Sequence, residues 1–214
     1  MLRKCPLCHS EKTSFYADGE SREYYLCSKC SLLFVPEEFF LSPDLENLKY
    51  DNHQNDVDDL VYQNYLGQIM NPVLDRISSH ACGLDFGCGP GPALSQMFEA
   101  RGIKTDIYDA FYAPNTEVFK KSYDFITVCE VVEHFFDPRM ELDRLFGMLK
   151  PGGILAIKTQ VLPPKDEFSL WYYKRDKTHV CFFSEETFNA LAERWGTEIE
   201  FVQSDVVLFK KASK

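Results

Sequence analysis

Four cysteines stand in the first thirty residues, Cys5, Cys8, Cys27 and Cys30, in the spacing C-x2-C-x18-C-x2-C. Two knuckles of this kind bring four thiolates to the corners of a tetrahedron, the coordination zinc prefers. The segment between them, TSFYADGESREYYLC, reads as a hairpin turning at Asp18-Gly19. Filling all four positions with cysteine leaves none open for a reactant, so the expected zinc is structural. It would supply the folding energy of a module of about 35 residues, too small to hold a core alone. Cys82, Cys88, Cys129 and Cys181 are scattered in or beside apolar runs and read as buried thiols.

A second centre is the loop Phe86-Gly87-Cys88-Gly89-Pro90-Gly91, which follows an apolar strand ending at Asp85 and precedes a helix. Glycines there let the backbone turn tightly and approach a ligand. Asp109, at the end of the next strand, is placed to accept hydrogen bonds from both hydroxyls of a ribose. The spacing is G-x-G-x-G rather than the G-x-G-x-x-G of pyrophosphate binders. The carboxylate of Asp85 would sit badly beside a pyrophosphate and well beside a sulfonium or an ammonium.

A third set is Glu130, Glu133 and His134, with His179 in a second polar spot, RDKTHVCFFS. At i, i+3 and i+4 the first three share a face if a helical turn begins there. Two carboxylates and two imidazoles suit a hard or borderline divalent metal. His134 or His179 would equally serve as a general base, because an unperturbed imidazole accepts protons near neutral pH. The bland alternative is a structural pair that orders the loop.

The elements around these residues alternate. After a linker holding Pro36 and Pro43, helical spacing covers 56–69 (Val57, Leu60, Val61, Tyr65, Ile69) and 72–80 (Val73, Leu74, Ile77), with Asn71-Pro72 expected to kink or split the two. Strands are expected at ACGLDFG, IKTDIYD, YDFITVCE and ILAIKTQV, and helices at 92–101, 138–149 and 185–195, the last capped by Ser184. TEIEFV and VVLFKK are joined only by Gln203-Ser204-Asp205, which forces an antiparallel pair. The pattern is an α/β domain with a mostly parallel sheet closed by one antiparallel hairpin. The expected divisions are 1–35 as zinc ribbon, 36–80 as acidic linker and N-terminal helices, and 81–214 as the cofactor-binding domain.

In order and spacing, LDFGCGPG, YDA at 108–110, YDFITVCEVVEH and LKPGGILAIKTQ resemble the class I S-adenosylmethionine-dependent methyltransferases, over about residues 60–210. The resemblance implies a Rossmann-like sheet of seven strands whose last is antiparallel. It also implies that Asp85, Gly87, Gly89 and Gly91, with Phe86 and Cys88 between them, cradle the amino-acid part of S-adenosylmethionine. Asp109, followed by Ala110, would hold the ribose, and Glu130-Val131 would lie beside the methionine moiety. Only 13 residues separate Asp109 from Tyr123, too few for the usual helix and third strand. The expected sheet therefore has seven strands or, with the third reduced, six: the helix is expected to be missing, the third strand vestigial around Glu117–Phe119, and the adenine side open or covered by another segment. The Glu130/Glu133/His134/His179 set is similar to the metal site of small-RNA 2′-O-methyltransferases and ubiquinone-pathway O-methyltransferases. That resemblance makes a second divalent metal a candidate, with Glu133, His134 and His179 as the catalytic residues.

The segment 161–183 is long for a strand-to-helix connection, and such loops usually carry function. Trp171, Tyr172 and Tyr173 would form an aromatic wall or pack on the sheet, and Lys174 and Arg175 would meet an anionic substrate. The net charge of −10 argues against a nucleic-acid partner, although −7 of it lies in residues 36–80, read either as a solvated face or as a lid over a cationic ligand. The N-terminus shows no apolar secretion signal and no run approaches a membrane span, so a cytoplasmic protein without a membrane partner is expected. The best reading is O-methylation of a small molecule or sugar conjugate; zinc-containing sugar methyltransferases pair a ribbon with the same fold. The alternatives are an RNA methyltransferase, a non-catalytic binding module on the same fold and an NAD-dependent oxidoreductase.

Overall fold

The molecule, seen in a computed structural model, is described over residues 3–42, 44–46 and 59–213. Val57 and part of the acidic stretch read as a lid, with Asp51, Asp56 and Asp58, lie outside the described residues.

A six-stranded sheet is the centre of the fold. Its strands are β4 (Cys82–Phe86), β5 (Lys104–Tyr108), β6 (Tyr123–Cys129), β7 (Leu149–Lys158), β9 (Glu198–Gln203) and β10 (Val206–Lys210), in the order β5-β4-β6-β7-β10-β9. β4 pairs in parallel with β5 and β6, and β6 with β7, whereas β10 is antiparallel to both of its neighbours. Alternation along the strands explains the layers. Phe125, Ile154, Ala156, Val206 and Leu208 point to one face, where α1 (Leu60–Leu74) and α2 (Ala93–Glu99) cover them. Ile126, Leu155, Ile157, Val207 and Phe209 point to the other, beneath α3 (Pro138–Gly147) and α4 (Glu185–Trp195).

The helix starts follow their caps. Asp137 accepts from the Met140 amide at 2.9 Å with Pro138 in the first turn, and Ser184 forms a capping box with Thr187. The helix expected at 92–101 is shorter, and the one at 138–149 stops at Gly147 because Leu149 already pairs with Tyr123. Where helical spans 56–69 and 72–80, kinked or split at Asn71-Pro72, were expected, one helix, α1, runs through Pro72 and ends at Leu74, with no helix over 75–80. Pro72 removes one intrahelical bond. Its buried face continues that of Leu66, Ile69 and Met70 into Val73, and the Asp75 amide still donates to Asn71 at 3.0 Å.

The third strand is absent among the described residues. Glu117–Phe119 lie instead in a 3-10 turn, Thr116–Lys120, capped by Asn115, which accepts from the Glu117 amide at 3.1 Å. That turn buries Val118 and lays Phe119 against Tyr108 at 4.6 Å between ring centroids, so a short segment covers the β5 edge.

The N-terminal residues form a second sheet, β1 (Thr13–Gly19), β2 (Arg22–Cys27), β3 (Leu33–Phe34) and β8 (Cys181–Phe182). The hairpin turns at Glu20-Ser21 rather than Asp18-Gly19, with φ of 54° and 61° at the two residues and Gly19 paired to Arg22. Positive φ at both central positions matches the strand twist. β8 comes from the 161–183 connection, so this sheet shares its fourth strand and its core with the α/β part. Among the described residues no helix is long and apolar enough to cross a membrane.

Candidate active site and cysteine cluster

Cys5, Cys8, Cys27 and Cys30 converge, each offering a sulfur within 4.8 Å of the others. The Cys5–Cys30 and Cys8–Cys27 sulfurs are 3.6 and 3.5 Å apart. A disulfide needs about 2.05 Å, whereas a tetrahedron with zinc–sulfur bonds of about 2.3 Å sets the sulfurs roughly 3.8 Å apart. Contact with Cys30 holds the Cys5 thiol down at about 5, while burial pushes Cys8 up to about 11. Four sulfurs converging at this spacing with no disulfide among them form a donor set that fits zinc. Of the other cysteines, Cys88 and Cys181 are buried and Cys82 and Cys129 half-buried; none is disulfide-bonded.

The glycine loop lies between β4 and α2. Gly87 and Gly89 have φ of 79° and 64°, the left-handed region where glycine is favoured. A Cβ on Gly87 would come within 2.3 Å of Val131. That close approach brings the loops after β4 and β6 together. Asp109 ties the loop down: one oxygen accepts from the Gly89 amide at 3.0 Å, the other from Phe111 and Tyr112 at 2.9 and 3.1 Å. Ala110 begins that turn. Asp85 is 3% exposed and accepts from Thr127 at 3.1 Å; burial pushes its carboxyl up to about 7. Phe86 stacks on Tyr108 at 5.1 Å, and Cys88 donates weakly to the Gly89 carbonyl, its thiol pushed by burial to about 12. The structure thus gathers Asp85, Phe86, Gly87, Cys88, Gly89, Asp109, Ala110 and Val131 around one edge; Gly91 closes the loop, its carbonyl accepting from Ala93 at 2.7 Å.

Glu130 follows β6 with φ of 54°, unusual for a residue with a Cβ. Its carboxylate accepts from Tyr65 of α1 at 2.7 Å and from Tyr173 at 2.9 Å. The Tyr173 hydroxyl also reaches Glu133, and Thr159 donates to the other Glu133 oxygen at 2.9 Å. Burial pushes both carboxyls up to about 7, with Glu133 adding to the shift at Glu130. Tyr173 has one proton for two carboxylates. Near neutral pH the group is therefore a shared-proton system, held by Tyr65, Tyr173 and Thr159.

The imidazoles pack edge to face at 4.7 Å. His134 Nδ1 lies 3.2 Å from the Thr178 carbonyl and His179 Nδ1 2.8 Å from that of Tyr173, geometry that puts a proton on each Nδ1. Burial lowers both, His179 to about 3 with His134 adding to it. Glu133, His134 and His179 each offer one ligand atom within 4.8 Å of the others. Glu130 turns away to Tyr65 and Tyr173, so the expected set of four divides into three and one. The turn holding Glu133 and His134 is a single 3-10 turn, Val132–His134, rather than an α-helical face.

A family model described as a methyltransferase domain matches residues 61–201, more than half of the chain. The chain belongs to the methyltransferase domain family. A ubiquinone biosynthesis O-methyltransferase of Erwinia tasmaniensis is 27% identical over 93 residues, 44% of this chain and 38% of that protein. Its counterpart in Aeromonas salmonicida is 28% identical over 100 residues, 46% and 42% of the two chains. The matches thus span about two fifths of these relatives' length. Among solved structures, the Burkholderia thailandensis 1,6-didemethyltoxoflavin-N1-methyltransferase with bound S-adenosylhomocysteine aligns over 86% of this chain and 97% of its own, with TM-score 0.56 and 14% identity. An O-methyltransferase family protein of the same organism aligns over 79% and 63%, with TM-score 0.52 and 13% identity.

Within this methyltransferase domain the 161–183 connection does more than line a wall. Trp171 packs against Phe182, Tyr173 is buried with its hydroxyl between the two carboxylates, and Tyr172 is exposed. Lys174 is buried and paired with Glu20 at 2.9 Å, so it does not face solvent, while Arg175 does. Tyr65, Thr159 and Lys158 escaped the sequence reading. Lys158 is fully buried, bonded to Asp205 and, at 2.9 Å, to Gln68. A lysine inside the apolar run ILAIK was its only signal; Tyr65 carried none beyond its helical spacing.

Proposed function

We propose that this protein is an S-adenosylmethionine-dependent methyltransferase that methylates an oxygen of a small molecule or sugar conjugate. The observation that carries the reading is the β4 loop, with positive φ at Gly87 and Gly89, clamped by Asp109 and underlain by a buried Asp85. S-adenosylmethionine, when bound, supplies an electrophilic methyl group on a sulfonium. Asp85 and the loop from Phe86 to Gly91 would hold its amino-acid part, Asp109 and Ala110 its ribose, and Glu130-Val131 its methionine chain. The acidic lining fits a cationic ligand, because a nearby positive charge favours ionised Asp85 and Glu130. The names of the curated relatives favour an oxygen acceptor.

An oxygen nucleophile must lose a proton. Glu130 is half-buried, and its carboxyl is raised to about 7, a good match to that task. Tyr173 links it to Glu133, which would share the proton. Burial makes His134 and His179 poor proton acceptors near neutral pH, so their role would be as ligands. With Glu133 they are the candidates for a second divalent metal, each imidazole oriented by a backbone carbonyl as ligating histidines commonly are. Such a cation would act as a Lewis acid on an acceptor hydroxyl. The four N-terminal cysteines would hold a structural zinc.

Thermal-shift measurements test the cofactor. S-adenosylhomocysteine should raise the melting temperature and NAD should not; stabilisation by NAD alone would overturn the reading. Methylation of an acceptor that ignores chelators and the changes His134→Ala and His179→Ala would remove the second metal.

A further inference from the structure

Arg22, on the hairpin of the cysteine sheet, is 4% exposed. Its Nε donates to the Tyr24 hydroxyl at 2.9 Å. One Nη donates to the carbonyls of Lys177 and His179 at 3.1 and 2.9 Å, the other to those of Lys174 and Asp176 at 2.7 and 2.8 Å. A guanidinium has five N–H donors in a rigid fork, and here each has an oxygen. Four carbonyls from one six-residue stretch, 174–179, are thereby turned inward onto a single side chain.

Beside Tyr65 and Thr159, which donate to Glu130 and Glu133 from α1 and the end of β7, the groups that meet the acidic cluster and His134 come from this stretch or its immediate neighbours. Tyr173, just before it, puts its hydroxyl between Glu130 and Glu133. The Tyr173 carbonyl accepts from His179, and the Thr178 carbonyl meets His134. Just beyond it, Val180 donates to the Glu133 carbonyl at 2.8 Å, and the Val35 amide donates to the Val180 carbonyl at 2.9 Å. β3 then pairs with β8, Phe34 opposite Cys181. The cysteine sheet thus grips the connection at both ends of the functional stretch, by backbone pairing at one and by Arg22 at the other.

We propose that Arg22 is a positioning residue: by gathering the 174–179 backbone it holds Tyr173 between Glu130 and Glu133 and His179 against His134, making the cysteine sheet a working part of the acceptor side of the site. The inference deepens the methyltransferase reading and rests on it for the word acceptor; the geometry of the clamp does not. Arg22 and its carbonyl partners make no hydrogen bond to Gly87, Gly89 or Asp109 among the described residues; the link from the clamp toward the cofactor side runs through Tyr173 and Glu130. Lysine cannot replace the fork, having three donors on one nitrogen.

The test uses the full chain with Arg22→Lys and Arg22→Ala. Zinc content should stay within about twofold of wild type and S-adenosylhomocysteine should still bind, whereas the Thr178, His179 and Val180 amides should exchange hydrogen about tenfold faster or more, as a locally opened segment does. The imidazole N–H resonance of His179, donated to the Tyr173 carbonyl, should vanish or move in both variants. Unchanged loop exchange with an unchanged His179 resonance overturns the proposal. So does loosening that extends equally to the β6 amides, which would mean that Arg22 supports the fold at large. Should neither variant fold, wild-type NMR decides: resolved, slowly exchanging Arg22 guanidinium protons are expected, and one averaged, fast-exchanging signal overturns the clamp. A wild type blind to S-adenosylhomocysteine would sink the methyltransferase reading while leaving the loop result to stand.

Discussion

The carboxylate of Asp109 reaches back across the β5–β4 edge and accepts a hydrogen bond from the Gly89 amide at 3.0 Å. One acid thereby shapes the loop that would receive the cofactor and faces the place where a ribose would lie. Its other oxygen is occupied by the Phe111 and Tyr112 amides, which fix its direction.

Asp109→Ala should therefore weaken binding of S-adenosylhomocysteine by about 10- to 100-fold, the loss of one to two hydrogen bonds to a charged group. Calorimetric titration measures this. An unchanged affinity would place the ribose elsewhere.

Asp85 should make the unliganded protein less stable as the pH rises. Its folded carboxyl, pushed by burial to about 7, lies above its unfolded value. The stability it contributes is full below the unfolded value and is lost as pH climbs through 7. Asp85→Asn removes that loss, so the variant should exceed wild type at pH 8 by up to about 4 kcal/mol and match it near pH 4. Urea melts at the two pH values check the sign, and the variant should bind S-adenosylhomocysteine less well because the anion proposed to face its ammonium is gone.

Tyr173→Phe should behave in the opposite sense. The phenol donates to the ionised forms of Glu130 and Glu133 and so restrains their upward shift. Without it the two carboxyls are harder to ionise. The cost, on the order of 1–3 kcal/mol, should be larger at pH 8 than at pH 5, where both are protonated. Equal losses at both pH values would mean that Tyr173 acts through packing alone.

The cysteine cluster should contain one zinc per chain, measured by elemental analysis of reduced protein. Because β3 pairs with β8 and the two sheets share a core, chelation should lower the melting temperature of the whole molecule by on the order of 5–10 °C. A separate low transition with the main one unmoved would contradict that coupling.

Local features were legible because they are encoded by near neighbours. The Ser184 cap, the glycine loop after a buried strand and the closing hairpin each occupy a few consecutive residues, and each forms where expected. The shortness of the Asp109–Tyr123 link pointed to a missing helix and a reduced third strand, since a full crossover cannot be built from so few residues. Its replacement by a 3-10 turn was not legible, because burial of Val118 against the sheet selects it. The continuation of α1 through Pro72 likewise depends on the apolar face that the sheet offers.

By itself the sequence determined the chemistry available: four thiols in two knuckles, a glycine loop between two acids, and a Glu-x-x-Glu-His stretch. Spacing over a handful of residues settles these, whatever the rest of the chain does. Only the tertiary structure decided which groups meet across the chain. Arg22 finds the Lys174 and His179 carbonyls 152 and 157 residues away, and Tyr65 finds Glu130 at a separation of 65. No local rule specifies such contacts. They follow from the requirement that buried donors and carboxylates find partners once the sheets have packed, and that requirement put Tyr173 between two acids and split the expected metal-like cluster of four.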